Sequence, residues 1–142
     1  MKLNDKWFTT ISENQDNQII IITGRDDITP FIQSGKFKEY VQITWKYEGN
    51  MPDDELAEQM ETMQEHLRKN VETDKLAILA AIDTGAGERT WIYSTRTVPI
   101  FCQRMNEALS QHPLYPIQIS ATHDPQWEEY LEIYEMKEND EE

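Results

Sequence analysis

Apolar and polar positions along this chain recur with two periods, and the changes of period mark its elements. Residues 6–12 (KWFTTIS) and 18–24 (QIIIITG) read as strands joined by the polar turn ENQDN. The continuous run Ile19 to Ile22 predicts a strand covered on both faces. RDDITPFIQSG follows as a loop with one helical turn, ended by Gly35. EYVQITWKY then alternates cleanly, with Val41, Ile43, Trp45 and Tyr47 on one face and Tyr40, Gln42, Thr44 and Lys46 on the other.

The period next changes to that of a helix. Leu56, Met60, Met63, Leu67 and Val71 form one apolar stripe over residues 54 to about 72. KLAILAAID predicts a central strand, TGAG a turn, and ERTWIYSTR the returning strand. Residues 97–112 predict a second helix, with Val98, Phe101, Met105, Ala108 and Leu109 on its apolar side. Thr97 is placed to cap it and Pro99 to sit in its first turn. YPIQISAT predicts a last strand.

A closing helix is expected from Pro125, capped by Asp124, with Trp127, Tyr130, Leu131 and Tyr134 on one face. From Glu39 onward the order is strand, helix, strand, strand, helix, strand. The fold expected is therefore α+β: a ferredoxin-like βαββαβ antiparallel sheet with two helices on one face, an N-terminal β-hairpin at or beyond its edge, and a short C-terminal helix.

Length and charge narrow the function classes. The 142 residues suit a single domain over residues 1–135, followed by an acidic disordered tail over 136–142. The formal net charge of −14 disfavours direct binding to nucleic acid or to anionic membranes, whose phosphates it would repel. It leaves open a basic protein partner or a surface that is acidic only for solubility. Cys102 is the single cysteine, so no internal disulfide forms. With no apolar leader and no membrane-length run, a cytoplasmic protein is expected.

Few residues carry a chemical signature. Gly85-x-Gly87 is followed by a strand, where a phosphate-cradling loop requires a helix, so these glycines are expected to make a hairpin turn. Trp91 and Tyr93 share a strand face and could be a binding platform or core. His66, His112 and His123 show no metal-ligand spacing, and neither a metal nor a cofactor is implied. His66 is expected on the exposed side of the first long helix and His112 at the end of the second. Cys102 reads as a half-buried packing residue.

Several short motifs coincide: Asp5-Lys6-Trp7-Phe8, Met51-Pro52 followed by acids, Gly87-Glu88-Arg89 before Trp91 and Tyr93, and Asp124-Pro125-x-Trp127-x-x-Tyr130. Together they resemble the bacterial family called domain of unknown function 695, from about Asp5 to Tyr134. That family is itself distantly similar to the ribonuclease E inhibitor called regulator of RNase E activity B. The resemblance implies an α+β domain with no established activity and, if the family has a site, positions Arg89, Tyr93, Asp124 and Trp127 in it.

Two functions follow as expectations. One is a non-enzymatic module that binds a protein partner, in the manner of a nuclease inhibitor or immunity protein, or that pairs with a second copy of itself. The other is a ligand-binding domain or enzyme whose site brings together Arg89, Tyr93, His123 and Asp124, with Trp91 and Trp127 as further binding residues. There Arg89 would hold an anion and His123 would move a proton.

Overall fold

The computed structural model describes the backbone of residues 2–141 and the side chains of residues 2–137. The elements run β1 (Trp7–Glu13), β2 (Ile19–Arg25), α1 (Thr29–Gln33), β3 (Glu39–Lys46), α2 (Asp54–Glu72), β4 (Ala77–Gly85), β5 (Glu88–Thr95), α3 (Val98–Leu109), β6 (Ile117–His123) and α4 (Glu128–Glu141). The strands form one six-stranded sheet in the order β1-β2-β4-β5-β3-β6, and every neighbouring pair is antiparallel. The crossover through α2 skips over β5, and the one through α3 skips over β3. The N-terminal hairpin lengthens the sheet by pairing β2 with β4. Among the described residues no helix is long and apolar enough to cross a membrane.

The periodicities explain the layers. On one face Val41, Ile43, Trp45, Trp91 and Tyr93 meet the α2 stripe of Met60, Met63, Leu67 and Val71, with Phe101 of α3 in the same cluster. Asp53 caps α2, its carboxylate accepting from the Leu56 N–H at 2.8 Å. On the other face α1, α4 and the turn before α4 bring Phe31, Tyr130 and Trp127 onto Ile78 and Ala80, while Ile133 joins Phe8, Ile22 and Ile92. Gly24 is required where Phe8 lies over the sheet, since a Cβ there would come within 2.3 Å of the ring.

Several local expectations change. The isoleucine run is covered on one side only: Ile22 is buried, but Ile19 and Ile21 are 50% and 37% exposed. α2 and α3 pack onto β3, β4 and β5, and they leave Ile19 and Ile21 of β2 outside that cluster. The hydroxyl of Thr97 caps nothing, although the helix does begin after it. The closing helix starts at Glu128 and not at Pro125, because Trp127 adopts a left-handed backbone at φ 56°. That turn carries the indole into the core, where Nε1 donates to the Phe37 carbonyl at 2.9 Å. Asp124 still serves the helix, accepting from the Glu128 N–H at 3.0 Å. Ile133, not Leu131, completes the buried face. Lys137, inside the stretch expected to be a disordered tail, donates to Asp26 at 2.6 Å; the side chains of residues 138–142 lie outside the described residues.

A buried ionic cluster joins the hairpin to the rest. Arg25, 1% exposed, donates to Glu72 at 2.5 Å and to the Leu79 carbonyl at 3.1 Å. Glu72 also accepts from the Leu79 N–H at 2.8 Å and from Arg68 Nε at 3.1 Å. The pairing of β2 with β4 ends at Gly24↔Ala81, and β4 bulges between Leu79 and Ala81. Arg25 and Glu72 thus bond the backbone groups of Leu79, just past the last β2 partner. Trp7 lies under both arginines, 4.8 Å from Arg25 and 5.4 Å from Arg68, and its Nε1 donates to Asp5.

Glu72→Ala strands the Arg25 charge and the Leu79 N–H together, and we expect a loss of about 3–5 kcal/mol in urea unfolding. A loss under about 1 kcal/mol would show that water reaches this cluster freely. Trp127→Ala is expected to cost about 3–5 kcal/mol in the same measurement.

Candidate functional site

The partial coverage of β2 creates a cleft. Antiparallel register aligns Ile21, Thr84, Arg89 and Trp45 in one row across the sheet, and Thr23, Ile82, Trp91 and Ile43 in the next. Where the row passes from under α2, the space between helix and strand is open. It amounts to about 650 Å³, walled by Ile21, Met51, Pro52, Ala57 and Ile82, with Glu61, Gln64 and Glu65 of α2 along one side. The glycine turn that carries β4 into β5 fixes its end. Gly87 has φ 82° and Ala86 φ 53°, and the Asn50 side chain accepts from the Ala86 N–H at 2.6 Å.

Among the described residues Arg89 is the one cation lining this cleft. Its Nε donates to the Thr84 hydroxyl at 2.8 Å, and among the described residues no hydrogen bond or ion pair involves its terminal nitrogens. Among the described residues no carboxylate pairs with it; Glu61 is felt only electrostatically. Partial burial lowers its pKa below the ordinary guanidinium value, yet it stays charged at any physiological pH. Arg25 and Arg68, by contrast, are already neutralised by carboxylates. A desolvated guanidinium with free donors and apolar walls can take an anionic group attached to an apolar body.

The other residues singled out from sequence lie elsewhere. Trp91 is core, its Nε1 donating at 2.9 Å to Gln64 on the edge of the cleft. Tyr93 is fully buried against Phe101, its hydroxyl has no partner among the described residues, and burial pushes its pKa well up. Asp124 and Trp127 shape the start of α4 on the far side of the sheet. His123, 63% exposed, bonds Glu39 at 2.8 Å. Glu39 pairs with Thr95 and His123, whereas Trp45 pairs with Arg89. Six residues of β3 separate the two positions, or about 20 Å. The structure therefore does not bring Arg89 together with His123, Asp124 or Tyr93.

Two features escaped sequence inspection. His66 and His112, on different elements, meet at 2.6 Å. Asp83 sits under α4 in a pocket of about 300 Å³ that Tyr40, Gln42, Glu88 and Thr90 also line. One of its oxygens is buried without a partner among the described residues, and desolvation raises its pKa to about 6, with Glu88 adding to the effect. It reads in sequence as the polar end of an apolar strand, and nothing local shows what covers it.

A carboxyl whose folded pKa lies above its unfolded value stabilises the fold in its protonated form. That contribution is present below pH about 4 and is lost as pH rises through about 6. Asp83→Asn should thus be more stable than the wild type at pH 7, by about 1–2 kcal/mol, with the gap closing toward pH 4.5 in parallel urea titrations. A gap constant with pH would place the carboxylate in contact with water.

Comparison with known proteins adds one match. No curated protein and no solved structure matches the chain. The family model described as "Family of unknown function (DUF695)" matches residues 5–134, so nearly all of the sheet and the helices on both of its faces lie within the matched region, and the chain belongs to that family.

Proposed function

We propose that this chain is a non-enzymatic binding module of the cytoplasm, and that it captures a basic protein partner by taking one of its carboxylates into the Arg89 cleft. The observation that carries the reading is Arg89 itself: a half-buried guanidinium without a carboxylate partner among the described residues, in a chain with 27 acids and 13 basic residues. Glu61 and Glu65 beside it would face cationic residues flanking the inserted carboxylate. The acidic surface would speed the encounter, and added salt would slow it. The distance between Arg89 and His123 favours binding over catalysis, because it separates the anion holder from the proton carrier that an acid–base site would need.

The strand order β4-β5-β3-β6 within the sheet supports reading the segment from β3 to β6 as a ferredoxin-like core extended by the hairpin. A distant similarity to the ribonuclease E inhibitor, expected from the sequence, would be in keeping with a small acidic domain that acts by contact with a larger protein.

The test compares the wild-type chain with Arg89→Ala as bait in crosslinking captures from the encoding organism, at low and high salt. The wild type should retain a basic protein that high salt releases. Arg89→Ala should hold it about 10- to 100-fold more weakly, as expected for losing a charge-assisted pair. Equal capture by both baits would overturn the role of the cleft.

A further inference from the structure

The contact between His66 and His112 has no part in the Arg89 cleft. His66 projects from α2, and His112 follows α3, 46 residues later in the chain. Nδ1 of His66 and Nε2 of His112 approach to 2.6 Å, and the rings stand nearly perpendicular, at 76°. That is shorter than the usual range for a hydrogen bond from N–H. Two ring nitrogens from distant parts of the chain thus face each other at the surface. The other nitrogen of His112, Nδ1, lies 3.2 Å from the Tyr115 hydroxyl. Tyr115 is in turn held against Trp45, ring centroids 5.0 Å apart, and Trp45 belongs to the main core.

This is the arrangement that ligating histidines use. The far nitrogen carries the proton and donates it to a fixed oxygen, so that the near nitrogen presents its lone pair. We propose that His66 Nδ1 and His112 Nε2 form a two-histidine site for a divalent transition-metal ion of the copper or zinc type, with Tyr115 as a positioning residue. Imidazole pairs favour such ions over magnesium or calcium, which require oxygen ligands. With metal–nitrogen bonds of about 2.0–2.1 Å, the two nitrogens need to stand about 2.9–3.3 Å apart. The rings must open by a few tenths of an ångström, which an exposed His66 permits. Among the described residues no third histidine, cysteine or carboxylate joins them, so water fills the remaining positions and the ion exchanges readily. Bound metal ties α2 to the segment after α3.

The test uses the full-length chain, freed of metal with a chelator and titrated with Zn²⁺ and separately with Cu²⁺ by calorimetry. Thermal unfolding with and without metal provides a second readout, and electron paramagnetic resonance of the Cu²⁺ form a third. The wild type should bind one ion, unfold at a higher temperature with metal, and show coupling to two nitrogens. Tyr115→Phe keeps the ring on Trp45 and removes the oxygen; it should weaken binding about 10-fold. His66→Ala and His112→Ala should each weaken it further, and each should abolish the thermal shift. Circular dichroism of each variant confirms that it folds. The acidic surface alone could also collect cations. If the chain carrying both His66→Ala and His112→Ala binds metal as tightly as the wild type, or if the copper spectrum shows only oxygen ligands, the site does not exist.

Discussion

Everything in this fold depends on keeping Arg25 neutralised inside it. A buried guanidinium without a carboxylate would cost several kcal/mol. Glu72 supplies that carboxylate and also bonds the same backbone residue, Leu79, that Arg25 bonds. One ion pair thus joins the end of β2, the end of α2 and the bulge of β4. Tyr130 of α4 donates to the Arg25 carbonyl, so the second helical layer is tied to the same point. The Asp5-Lys6-Trp7-Phe8 motif gains a physical meaning from this cluster: Asp5 and Trp7 close it from outside, and Phe8 fills the space over Gly24.

The position of that cluster sets where the cleft can be. It anchors the C-terminal end of α2 beside the hairpin, while the N-terminal half of the helix lies above β4 and β5. The hairpin therefore continues the sheet past the cover that α2 and α3 provide, and Ile21, Thr23 and Arg89 face open space at the other end of α2. A six-stranded sheet is wider than two helices on one face can bury. The uncovered strip is a geometric consequence of adding a hairpin to a four-stranded unit, and Arg89 is the charged residue that the register places beside it.

The sequence by itself determined the elements and most of their buried faces. Alternation in β3 and the stripe of α2 state which side of each is apolar, and both packed as that pattern requires. It also held one signal that went unread: Glu72 closes α2 where an acid opposes the helix dipole, a sign that its charge is needed elsewhere. Only the tertiary structure decided what covers each face. Four isoleucines in a row say that β2 is apolar, but not that Ile19 and Ile21 stay exposed on one side of it. The Arg25–Glu72 pair spans 47 residues and the His66–His112 contact 46, far beyond any local spacing rule. Local period encodes the face that a segment hides; the partner it hides against is chosen when distant segments compete for the same surface.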